Sequence, residues 1–194
     1  MPRPWTVIES VETEEGPLEL RRRDDRDYLI TIKGRVLMTS MAHRSELVLG
    51  DLGCERVKKR TAPCILLAGL GMGYTLRGAL DALPDDAKVT VVELNPVVER
   101  WCRGPIKHLS GAALDDPRVE LISGDVMDQA RKGVGCYDAI VLDLYEGPNN
   151  NHHPVNDPFY GTKAIAQLKA ALKPKGTLAV WSEQSDRPYE LRLA

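Results

Sequence analysis

The sequence predicts an open α/β fold: a mostly parallel sheet flanked by helices, preceded by a small N-terminal β-hairpin region. Two observations carry this reading. From about residue 61 onward, five short apolar runs with little alternation recur, at Ile65–Ala68, Val89–Val92, Val119–Ile122, Ala139–Leu142 and Leu178–Trp181. Runs of that kind are what strands covered on both faces look like. Between most of them lie helix-like stretches, at Tyr74–Leu83, Pro96–Cys102, Val126–Lys132 and Phe159–Leu172. Strands alternating with helices imply βαβ units and right-handed crossovers.

Taken in order, residues 1–60 form the small N-terminal region and residues 61–194 the α/β domain. In the first region, short apolar runs at Trp5–Val11, Leu18–Leu20, Tyr28–Ile32 and Val36–Met38 are separated by the turn signals Gly16-Pro17 and Lys33-Gly34. Tyr28, Ile30 and Ile32 alternate with Leu29, Thr31 and Lys33, which predicts two short antiparallel hairpins. A linking helix is expected from about Ala42 to Leu52, ending at Gly53. Lys173-Pro174-Lys175-Gly176 reads as a helix stop and a turn before the fifth strand. Residues Glu190–Ala194 read as the first turns of a further helix, so closing strands of the sheet are expected to be missing and the exposed edge to suit a homodimer.

Composition narrows the function classes. The chain has 194 residues, 43% hydrophobic and 28% charged, which is ordinary for a globular protein with a real core. No apolar run approaches the ~20 residues of a membrane-spanning helix, and Met1–Glu15 shows no apolar signal region. A net charge of −2 argues against a nucleic-acid partner. Arg21-Arg22-Arg23 is followed at once by Asp24, Asp25 and Asp27, so it and Lys58-Lys59-Arg60 read as solvated faces. Cys54, Cys64, Cys102 and Cys136 are scattered, with no Cys-x-x-Cys pair. That pattern favours a reducing cytoplasm and no metal.

In open α/β sheets, ligands bind outside the carboxyl ends of the strands, so the residues following each run are the candidates. The first run leads into Gly69-Leu70-Gly71-Met72-Gly73 and then a helix. Glycines allow tight turns and close approach, and the helix start offers free N–H groups. The third glycine of a dinucleotide fingerprint would fall at position 74, which is Tyr74, so a ligand without a pyrophosphate is expected. The second run ends in Glu93, an acid suited to accepting both ribose hydroxyls, followed by Leu94. Its structural alternative is to cap the helix at Pro96, for which Asn95 is better placed. The third run ends in Ser123-Gly124-Asp125 before Val126, and the fourth in Asp143-Leu144-Tyr145-Glu146. Desolvating carboxylates is expensive; a glycine loop and three acids at successive strand ends therefore signal a nucleoside site. The loop from Glu146 to Pro158 is polar and long, with His152 and His153 as solvated or acid–base groups.

The stretch Ile65–Trp181 resembles the spermidine/spermine synthase group of the class I S-adenosylmethionine-dependent (Rossmann-like) transferase fold. The residues that carry the likeness are Gly69–Gly73, Val91–Asn95, Asp115-Asp116-Pro117-Arg118-Val119, Gly124-Asp125, Tyr137–Asp143 and Leu172–Gly176. The resemblance implies that Gly69, Gly71, Met72, Gly73, Glu93, Leu94, Gly124, Asp125, Val126 and Asp143 hold a donor, with Glu93 on the ribose and Asp125 on the adenine. It implies Asp143 as the acid that takes a proton from the attacking amine and Glu146 as a second acid over the substrate; Tyr145, between them, reads as a ring that stacks on a substrate or packs in the core. The N-terminal hairpins are similar to the family's small β domain. Met72 stands where the family's loop carries an Asp, Leu37 where it carries a Gln, and Glu46 lies where a family Glu falls. The expected function is transfer of an aminopropyl group from S-adenosylmethionine or its decarboxylated form to a small amine. Methyl transfer and non-catalytic nucleoside binding remain open.

Overall fold

The computed structural model describes residues 3–145, 147–148 and 154–194. Residues 6–39 form one four-stranded antiparallel meander, the two expected hairpins joined edge to edge: β1 (Thr6–Thr13), β2 (Gly16–Arg23), β3 (Asp27–Ile32) and β4 (Arg35–Thr39), in that spatial order. The pattern in β2 and β3 turns Leu18, Leu20, Tyr28, Ile30 and Ile32 inward, and all five are buried. Helix α1 (Arg44–Cys54) follows.

The second sheet holds β5 (Cys64–Ala68), β6 (Lys88–Glu93), β7 (Val119–Ser123), β8 (Tyr137–Leu142) and β9 (Leu172–Val180) in the order β7-β6-β5-β8-β9, every pair parallel. The crossovers are α2 (Tyr74–Ala82), α3 (Pro96–Arg103), α4 (Val126–Lys132) and α5 (Thr162–Ala171), and α6 (Arg187–Leu193) comes last. Alternate residues of each central strand serve opposite faces. Ile65, Leu67, Val89, Val91, Ala139 and Val141 belong to the core shared with the N-terminal sheet, α1, α2 and α3. Leu66, Ala68, Val92, Ile140 and Leu142 belong to the core under α4 and α5. Two-sided burial is why these strands lack polar alternation.

Two elements differ from expectation. β9 starts at Leu172, not Leu178: Lys173–Gly176 form a bulge whose register shifts between Tyr137 and Ala139, with Lys175 left-handed (φ +64°). Helix α5 starts at Thr162 because Asp157 Oδ1 accepts the N–H groups of Phe159 (2.9 Å) and Tyr160 (2.7 Å) in a turn outside the helix.

Helix α1, read as a linker, packs into the second sheet's own layer. A Cβ on Gly50 would stand 2.2 Å from the Thr75 carbonyl, one on Gly78 2.2 Å from the Leu47 carbonyl, and one on Gly53 2.7 Å from Val141 Cγ2. Backbone-to-backbone approach of α1 and α2 therefore requires glycine. The basic runs are also more than solvated faces. Arg21 pairs with Glu19 (2.5 Å) and Arg23 with Asp27 (2.8 Å). Arg60 reaches the buried Asp138 at 2.6 Å, joined there by Lys173 Nζ (2.7 Å) and the Cys64 N–H (2.8 Å). Burial pushes the Asp138 carboxyl up, but the Cys64 N–H, Lys173 and Arg60 outweigh it and hold it below the usual carboxylate range. Arg118 braces the other half through Asp116 (2.7 Å) and the Leu83 carbonyl (3.0 Å), and this guanidinium lowers the Asp116 carboxyl to about 2.

Candidate active site

The strand order places the switch point between β5 and β8, where successive connections leave toward opposite sides of the sheet. A cleft of about 320 Å³ opens there, between the strand ends and the inner face of the N-terminal sheet. The sheet ends contribute Gly69, Gly71, Glu93, Leu94, Gly124, Asp125, Val126, Asp143 and Tyr145; the wall across from them carries Leu18, Ile30, Ile32, Leu37 and Met38.

Gly69 is required by position. Its φ is +85°, and a Cβ would lie 2.2 Å from the Asp143 carbonyl, since β5 and β8 end side by side. Gly71 is also left-handed (φ +52°), and a Cβ there would meet Met38 Sδ at 2.8 Å. Gly73 (φ +81°) is the N-cap of α2, and Ser110 leaves no room for a side chain on it. Met72 points the other way: its side chain is fully buried in the core and outside the cleft lining, while its N–H donates to Met38 Sδ at 3.0 Å. The loop therefore presents backbone and glycine, with no charge of its own.

Glu93 is buried, at 8% exposure, which makes its partners decisive. Its Oε2 accepts the Leu70 N–H at 2.9 Å and its Oε1 the Asn95 N–H at 2.8 Å. Burial pushes its carboxyl up against these backbone donors. The backbone N–H groups of Leu94 and Gly71 also favour its charged form. Asn95 sits at the N-cap of α3 without a side-chain cap bond, and its own N–H donates to Glu93. Leu94 extends beside it, 65% exposed. Asp125 is the N-cap of α4, accepting the Met127 N–H at 2.7 Å through Oδ1.

Asp143 is half-buried at the end of β8. Thr75 Oγ1, in the first turn of α2, donates to its Oδ2. Burial is the main cause of a carboxyl pushed up to about 6; the Thr75 hydroxyl works against that, and the charge of Glu46 adds to it. Glu46, on α1, is a buried carboxylate in the same cleft, held by Ser45 Oγ at 2.5 Å. Tyr145 stands at the mouth. Its hydroxyl donates to Glu15 Oε2 at 3.0 Å, and the Arg35 guanidinium lies 4.9 Å from its ring centroid. Glu146, His152 and His153 lie outside the described residues. The cleft also takes in Glu15, Phe159, Tyr160 and Trp181, which strand-end reasoning did not single out. Among the described residues, no group of three or more His, Cys, Asp or Glu side chains could hold a metal ion, and no helix is long and apolar enough to cross a membrane.

This arrangement fits a nucleoside-bearing ligand whose reactive end meets two carboxylates. Residues 54–190 match the family model described as the spermine/spermidine synthase domain. The chain belongs to that family. Spermine/spermidine synthase relatives among curated proteins include the polyamine aminopropyltransferase of Sulfolobus acidocaldarius, 32% identical over 118 residues (59% of this chain, 36% of the relative). That of Mycobacterium tuberculosis is 30% identical over 136 residues (69% of this chain, 24% of the relative). The matched part thus spans only about a quarter to a third of these relatives' length. Among solved structures, spermidine synthase from Thermotoga maritima superposes with a TM-score of 0.74 at 20% identity, covering all of this chain and 69% of that one. A spermidine synthase complexed with the transition-state analogue AdoDATO gives 0.75 at 19% identity, covering all of this chain and 71% of that one. These two establish the fold: a Rossmann-like class I methyltransferase-type sheet behind a small β domain.

Proposed function

We propose that the chain transfers an aminopropyl group from decarboxylated S-adenosylmethionine to a small amine. The observation that carries this reading is one cleft that joins Gly69, Gly71, Glu93 and Asp125 at the strand ends to two further carboxylates, Asp143 and Glu46. Relatives named polyamine aminopropyltransferases support it. Glu93, at the end of β6 in this cleft, accepts the ribose hydroxyls. Asp125 offers its second oxygen to the base, and Leu94 and Val126 flank the ring.

The amine nitrogen attacks the propyl carbon bonded to the sulfonium sulfur. That C–S bond breaks, and methylthioadenosine leaves with the electron pair. The nitrogen passes one proton to Asp143, whose pKa of about 6 keeps it ionised and a stronger base than an ordinary aspartate at neutral pH. Because the sulfonium is its own leaving group, alignment and charge supply the remainder of the catalysis. With Met72 buried, Glu46 and Asp143 provide the negative charge that the donor's ammonium needs.

Methyl transfer from S-adenosylmethionine itself is the second reading, favoured by one feature: a glycine loop without a carboxylate does not repel a carboxylated donor. Incubation with each donor and a panel of small amines separates the two. The first reading predicts methylthioadenosine from the decarboxylated donor; S-adenosylhomocysteine as the sole product, from the carboxylated one, would replace it with the second.

A further inference from the structure

Thr75 is not among the residues that line the cleft, yet it is 1% exposed and spends its hydroxyl on Asp143. It reaches that position because the left-handed Gly73 starts α2 directly under the strand end, and because Gly50 lets α1 lie against the Thr75 carbonyl. We infer that Thr75 is the positioning residue of the reaction, fixing the Asp143 carboxylate so that Oδ1 alone is presented to the amine and keeping that carboxylate ionised. This rests on the reading of Asp143 as the proton acceptor.

The Thr75 hydroxyl occupies Oδ2, so the carboxylate cannot rotate without losing a charge-assisted bond in a site that water reaches poorly. The groups around Asp143 otherwise work against its charge. Glu46 faces it from α1, and Glu93, at the end of β6, and Asp125, at the start of α4, line the same cleft, with Tyr160, Tyr145 and Glu15 toward the mouth. No Lys or Arg is among the described residues lining that cleft. In this all-acidic setting a neutral hydroxyl donor is what stabilises the ionised form. A bond to the charged form lowers a carboxyl pKa, so removing it moves the titration upward.

The test compares Thr75→Val, which keeps the shape without the donor, with Thr75→Ser, which keeps the donor. The Asp143 carboxyl is followed by carbon NMR titration in the full chain, together with the pH profile of kcat/KM. Thr75→Val is expected to raise the Asp143 pKa by about one unit or more. It should move the acid limb of the profile with it, so that activity lost at pH 6.5 largely returns by pH 9, while Thr75→Ser restores both. An unchanged Asp143 titration in Thr75→Val, whatever its melting temperature, overturns the inference and reduces Thr75 to packing. The NMR shift appearing in a protein without transfer activity would retain Thr75's role and instead remove the base assignment.

Discussion

The Glu93 carboxylate accepts the Leu70 N–H at 2.9 Å, so the acid that ends β6 holds the glycine loop after β5 in place before any ligand arrives. The order of that loop therefore depends on this side chain. Glu93→Ala should weaken either S-adenosyl donor at least tenfold, since each charge-assisted hydrogen bond contributes ~1.5–3 kcal/mol. Glu93→Gln, which keeps an acceptor, should lose less. Calorimetric titration reads both; an unchanged dissociation constant in the alanine variant would sink the nucleoside-site assignment.

Asp143 gives a pH prediction with a definite sign. Its folded pKa, about 6, is above the ordinary 3.8. The ionised form is thus disfavoured by folding, and stability falls as pH rises from about 4 through 6. Asp143→Asn should therefore raise the melting temperature at pH 8, by an amount equivalent to roughly 2–3 kcal/mol, with little change near pH 4. The same variant should lose at least a hundredfold in transfer rate. A destabilised variant at pH 8 would contradict the burial argument.

At the opposite end of the sheet, Asp138 works in reverse. Its carboxyl is held low by Cys64, Lys173 and Arg60 against burial. Its contribution is present above the unfolded pKa near 4 and is lost as pH falls through the folded value. Asp138→Ala should destabilise by about 1–3 kcal/mol at pH 7, less than a fully buried pair because Arg60 and Lys173 keep solvent access. Urea denaturation at pH 7 and pH 3 checks this: the difference between variant and parent should shrink at the lower pH.

Gly50 and Gly78 make the α1–α2 contact that brings Glu46 and Thr75 to Asp143. Gly50→Ala or Gly78→Ala forces a Cβ to 2.2 Å from a backbone carbonyl. Each should cost about 1–3 kcal/mol or more, read as a lower denaturation midpoint, and should weaken donor-dependent activity through Asp143. A midpoint within error of the parent would show the crossing to be looser than these distances state.

The sequence carries the positions of β5 to β8 and of α2, α3 and α4, because burial of the central strands on both faces writes continuous apolar runs and helix starts follow from Pro96 and Asp125. It also carries the acids at strand ends, since Glu93, Asp125 and Asp143 sit one residue beyond or at the end of readable elements. Glu46 is harder to place: only the close crossing of α1 and α2 brings it to Asp143, and no spacing encodes that. The direction of Met72 is equally hidden, because a loop methionine can face ligand or core. Asn95 looks like a cap, yet the neighbouring Glu93 takes its N–H. Arg60 appears as part of a solvated run because its partner, Asp138, lies 78 residues away. Pairwise contacts across the sheet order are what local pattern leaves out.

The central claim is that this cleft takes a decarboxylated S-adenosyl donor, with Glu46 and Asp143 supplying the charge that the loop lacks. Isothermal titration calorimetry of the full chain with decarboxylated S-adenosylmethionine and with S-adenosylmethionine, side by side at pH 7.5, tests it most directly. The account predicts tighter binding of the decarboxylated donor by at least tenfold, with the preference reduced in Glu46→Gln. Equal affinity, or tighter binding of the carboxylated donor, would contradict it.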